Sequence, residues 1–109
     1  MELAFDSRPL RTICESEAHA KDELRVTVAE MLKHRLADLR AAVSIRDIVV
    51  GRPSLLQGTA DLCMTLDLCE GYRIIFCANH PKNPVSPTGG VDWPRVSRVK
   101  IMRIERDDV

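Results

Sequence analysis

The chain has no net charge, no C-x-x-C pair and no apolar run long enough to cross a membrane. The first absence argues against a globally basic nucleic-acid binder. The second, with only His19, His34 and His80 as nitrogen ligands, leaves no zinc spacing, so no metal or other cofactor is expected. Cys14, Cys63, Cys69 and Cys77 are accordingly read as buried free thiols. No charged, apolar, small-residue signal pattern opens the sequence, and a cytoplasmic, membrane-free protein is the expectation. With 109 residues, 45% hydrophobic and 29% charged, the chain suits one folded domain spanning 1–109 with a modest core.

Charge is unevenly spread within this neutral total. Residues 1–70 hold 9 Lys and Arg against 12 Asp and Glu, whereas residues 71–109 hold 7 against 4. A basic patch on the C-terminal strands follows, even though the whole is balanced.

The clearest strand is Gly71-Tyr-Arg-Ile-Ile-Phe-Cys-Ala78, in which Tyr72, Ile74 and Phe76 alternate with Arg73, Ile75 and Cys77. Two readings of Arg73 stay open from the residues alone. It is either a sheet arginine paired with a carboxylate, or a fixed cation aimed at a phosphate or carboxylate ligand. Before it, residues 61–69 alternate with Leu62, Met64, Leu66 and Leu68 on one face. Glu70-Gly71 then turns the chain, so 61–78 reads as an antiparallel hairpin. Residues 96–104 form a last strand, and Glu2-Leu-Ala-Phe5 a short first one. If the apolar faces meet the helices, period two brings Arg73, Arg98 and Lys100 out together on the open face.

Asp6 or Ser7 before Pro9 starts a helix. From about Ser16 to Val43 the stripe Leu24, Val28, Met31, Leu32, Leu36, Leu39 and Val43 has helical spacing, as one helix or as two broken near Arg25-Val26-Thr27. Such a stripe is ordinarily packing surface. Ser44 with Asp47 three residues on opens a short helical turn, which Gly51 and Pro53 end. Residues 79–94 hold four of the six prolines and fit no regular element. Asp92-Trp93-Pro94 would pin this loop to the body. His80 within it is a weak candidate base, since tuning a pKa needs a defined pocket. The order of elements predicts an α+β fold, a small antiparallel sheet with N-terminal helices on one face.

Several stretches together resemble a known family. They are Met1-Glu-Leu-Ala-Phe5, the helix Leu32-Lys-His-Arg-Leu-Ala-Asp-Leu-Arg-Ala-Ala42, the Gly51-x-Pro53 turn with Leu56-Gln-Gly58, and Gly-Tyr-Arg-Ile-Ile-Phe76. In that order they resemble the HigB-type toxins of the RelE superfamily, also called plasmid-maintenance killer proteins. The resemblance implies a RelE-like fold and the toxin of a type II toxin–antitoxin system. Its activity would be ribosome-dependent cleavage of mRNA, inhibited by a HigA-like helix-turn-helix antitoxin. Arg73 matches the family's strand arginine, which would stabilise charge developing at the scissile phosphate as the ribose 2′-hydroxyl attacks. Arg98, Lys100 and Gln57 would contact RNA or phosphate.

The departures from the family are as specific as the matches. Gln57 stands where members carry a lysine, Ser54 where they carry a histidine, and Arg106-Asp-Asp108 where they commonly end in Asp-Tyr-His. Activity weakened by loss of the usual acid and base is therefore expected, with Asp107 or Asp108 as a substitute base only if burial raises its pKa. The alternative is a catalytically silent relative that binds a helix-turn-helix antitoxin or RNA. A third reading is a redox or metal protein using Cys63, Cys69 and Cys77.

Overall fold

The computed structural model describes residues 1–106. Strand β1 (Glu2–Phe5) leads into α1 (Arg8–Glu15), α2 (Glu17–Glu23) and α3 (Val26–Ala41), followed by a 3-10 turn at Ile45–Asp47. Strands β2 (Ser54–Leu55), β3 (Cys63–Asp67) and β4 (Tyr72–Ala78) come next, then a second 3-10 turn at Trp93–Arg95 and finally β5 (Arg98–Arg106). The fold is α+β. Its five-stranded sheet has the order β1-β5-β4-β3-β2.

The sheet is mixed rather than antiparallel as expected, because β1 runs parallel to β5. A parallel neighbour requires a crossover, and α1 to α3 with the chain that follows provide it. The two-residue β2, absent from the expected strands, pairs with β3. It is too short to show period-two alternation.

Each helix boundary has a local cause. Ser7 Oγ accepts from Leu10 N at the start of α1, where Pro9 sits in the first turn. Ser16 Oγ accepts from His19 N at the start of α2. The long apolar pattern breaks at Leu24 and Arg25, the two-helix option, with both residues in extended conformation. Arg25 gives α3 no side-chain cap. The Glu70 carboxylate instead accepts from Thr27 Oγ1 and Arg25 Nη1, putting negative charge at the positive end of α3. At the other end, the Met1 amino group donates to the carbonyls of Leu39, Arg40 and Ala42.

The core lies between the helices and one sheet face. Leu10, Leu32, Leu36 and Leu39 meet Met64, Leu66, Ile74, Phe76, Val99 and Ile101 there. Val43, expected in the stripe, is 81% exposed because α3 stops at Ala41. Gly51 approaches β3 so closely that a Cβ on it would lie 2.7 Å from Leu66 Cδ1, and its φ of +81° is one that only glycine adopts freely. Between β3 and β4 the turn is two residues, Glu70 (φ 55°) and Gly71 (φ 80°), and Tyr72 N donates to Cys69 O. Two successive positive φ values give a turn whose twist matches that of the strands.

The 79–94 segment holds no helix or strand before the 3-10 turn at Trp93, as expected, yet it folds back on itself. Val85 and Val91 form an isolated bridge, and Arg95 holds both Asp92 and the Val85 carbonyl. Trp93 pins the segment as anticipated. It is buried, its Nε1 donates to Asp61 O at 2.7 Å, and its ring meets Phe76 edge-on at 5.8 Å.

Candidate functional site on the open sheet face

The sheet face away from the helices carries Cys63, Thr65 and Asp67 from β3 and Arg73, Ile75 and Cys77 from β4. Opposite partners are Cys63 with Cys77, Thr65 with Ile75, and Asp67 with Arg73. In the pairing of β4 with β5 the register shifts between Ile75 and Phe76, leaving Met102 of β5 without a partner on β4. The bulge puts Arg103 and Glu105 on the open face beyond it, and Glu105 lands opposite Arg73.

That placement sets the chemistry of Arg73. Its Nε and Nη2 both donate to Glu105 Oε1, at 3.0 and 2.8 Å, while Glu105 Oε2 accepts from Arg103 Nε at 3.0 Å. Hydrogen bonds from Arg103 and then Arg73 hold the Glu105 carboxyl below its ordinary range. Arg73 therefore stands on the open face as expected, but paired with a carboxylate. Of its five N–H donors, three make no hydrogen bond to the described residues.

The three expected cations share a face without forming a cluster. Arg98 lies opposite Glu2 and pairs with it, Nε to Oε2 at 2.9 Å. Lys100 is opposite Cys77 and half-buried, with no ion pair among the described residues. Cys77 stands four positions along β4 from Arg73, about 13 Å of strand. Arg98 lines a separate hollow with Glu2, Arg40 and Asn79.

Arg73 and Gln57 do come together. They line one open groove of about 450 Å³ with Arg52, Ser54, Thr65 and Asp67. Arg52 and Asp67 were not anticipated. Arg52, with φ 46°, donates from Nε to Asp67 Oδ2 at 2.7 Å. Both carboxylates beside Arg73 are thus ion-paired, and Glu105, held below its ordinary range, is a weak proton acceptor at neutral pH. Asp107 and Asp108, offered as substitute bases, lie outside the described residues. His80 Nε2 accepts from Ser97 N at 3.0 Å, a structural role away from the groove.

Compared with family models, curated proteins and solved structures, the chain matches none.

The cysteine expectation needs correction at two positions. Cys63 and Cys77 are joined in a disulfide, because register puts them directly opposite on adjacent strands. Cys14 and Cys69 are free and half-buried, and burial pushes the Cys14 thiol up to about 11. Among the described residues no group of three His, Cys, Asp or Glu is placed to hold a metal ion. Cys69 stays apart from the disulfide, so the three thiols of the metal reading do not meet.

Proposed function

We propose that the protein is a HigB-like toxin of the RelE superfamily that engages ribosome-bound mRNA through its open sheet face. The observation that carries this reading is the convergence of Arg73 and Gln57 on one groove, on the side of the sheet that the helices leave uncovered. A guanidinium held on a strand, with three donors to spare, suits a phosphodiester oxygen. Ser54, Thr65 and Gln57 add neutral hydrogen-bonding groups for ribose or base. On this reading the protein acts in the cytoplasm as the toxin of a type II toxin–antitoxin pair, and a HigA-like helix-turn-helix antitoxin is its inhibitor.

Cleavage by a 2′-hydroxyl needs a proton acceptor and a donor to the leaving oxygen, each worth roughly two to four powers of ten in rate. Glu105, held below its ordinary range by two arginines, is not poised for that work, so catalysis is weakened or depends on groups the ribosome supplies. The Arg73–Glu105 pair specifically favours a second reading, a catalytically silent module that binds the antitoxin or RNA.

Expression without a partner distinguishes the two. The toxin reading predicts growth arrest with cuts in ribosome-bound mRNA, both abolished by Arg73→Ala. Unimpaired growth and intact mRNA, with a DNA-binding partner co-purifying, would select the silent module.

A further inference from the structure

We propose that the Cys63–Cys77 disulfide is a redox-controlled latch on the groove wall, an inference that takes the groove of the proposed function as the site it regulates. The main core contains no buried cysteine and lies on the other side of the sheet. On the open face the only buried cluster among the described residues consists of Cys63, Ile75 and Cys77, with Leu56 and Met102 packed against it. Breaking the disulfide therefore perturbs the open face and leaves the helix-packed core in place.

The groove wall rests on this cluster. Leu56 N donates to Cys63 O at 2.9 Å, Thr59 Oγ1 donates to Leu56 O at 2.6 Å, and Cys63 N donates to Thr59 Oγ1 at 3.3 Å. Ser54, Leu55, Leu56 and Gln57 form one side of the groove. As β2 is two residues long, the wall has little ladder of its own to hold it. Its position depends on Leu56 packing against the cluster that the disulfide joins.

The chemistry is ordinary thiol–disulfide exchange with a dithiol reductant. One reductant thiolate attacks a cystine sulfur, forming a mixed disulfide and releasing the other cysteine as a thiolate. The second reductant thiolate then displaces the remaining cysteine and closes the reductant's own disulfide. Two electrons pass to the protein, and two protons from the reductant's thiols end on Cys63 and Cys77. Once unbonded, the sulfurs separate to van der Waals contact and displace Leu56 and Met102. In a reducing compartment such a bond is transient and regulatory. Linkage is reciprocal: a ligand that binds better with the bond formed shifts the equilibrium toward the disulfide, and reduction weakens that ligand by the same factor.

The test uses the full chain in oxidised and dithiothreitol-reduced form. Denaturing alkylation and mass measurement should find two reactive thiols, Cys14 and Cys69, before reduction and four after it. Amide exchange at residues 54–57 should then quicken at least about fivefold, while exchange in α3 is unchanged. Cys63→Ser/Cys77→Ser should match the reduced protein and ignore dithiothreitol. Four reactive thiols in protein purified under air without reductant, or unchanged exchange at 54–57 after reduction, would overturn the proposal. A redox-dependent wall in a protein that neither cuts nor binds RNA would support the latch and remove the proposed function instead.

Discussion

Arg73 directs two N–H groups at one oxygen of Glu105, and Glu105 in turn holds Arg103. Removing the carboxylate frees the guanidinium for an anionic ligand. Glu105→Gln should therefore bind short RNA several-fold more tightly in a filter or anisotropy assay. It should also lose about 0.5–1 kcal/mol of stability at pH 7, the usual worth of a half-exposed pair. The pH dependence has a definite sign. Because the folded Glu105 titrates below its ordinary value, its contribution is full above the unfolded carboxylate pKa of about 4.3 and is lost as pH falls through the lowered folded value. Urea titrations between about pH 6 and 3 should find a shallower acid loss in Glu105→Gln than in wild type. At Gly51 the constraint is steric. Gly51→Ala should cost about 1–3 kcal/mol in the same titration, since the methyl meets Leu66 in a backbone conformation that alanine resists.

Elements were legible in the sequence to the extent that a period or a turn residue marked them. The alternation in 61–78 and the Glu70-Gly71 turn identify the hairpin, but a two-residue turn alone would pair Asp67 with Ile74 and Cys63 with Ala78. The actual register is one residue off that, with Asp67 opposite Arg73 and Cys63 opposite Cys77, so the turn by itself did not announce the disulfide. Ser7, Pro9, Ser16 and Ser44 mark starts that the structure keeps. What was illegible depended on register between distant strands. The β5 bulge decides that Glu105 faces Arg73, and no local pattern announces it. Strand β2 is set by pairing with β3 alone. The 79–94 segment is organised by Trp93, whose ring and N–H make separate contributions. Trp93→Phe should keep the edge contact with Phe76 and cost about 1 kcal/mol for the lost bond to Asp61. Trp93→Ala should cost about 3–5 kcal/mol and open residues 79–92 to limited proteolysis.

At the scale of the whole molecule, helices cover one side of a five-stranded sheet and the other side carries a small apolar cluster ringed by ion pairs. The excess of cations in the last third of the sequence falls largely on β5, where Arg98, Lys100, Arg103 and Arg106 recur. Pairing with Glu2 and Glu105 moderates that charge, so RNA binding should weaken with salt by only a few counterions. On the proposed function, Arg73 on this uncovered face is the group that meets RNA, and cleavage of mRNA on purified ribosomes by wild type, Arg73→Ala and Glu105→Gln, each confirmed folded, measures that role. Wild type should cut, Glu105→Gln should cut at least as fast, and Arg73→Ala should lose at least about a hundredfold. Equal cleavage by Arg73→Ala and wild type would rule the role out.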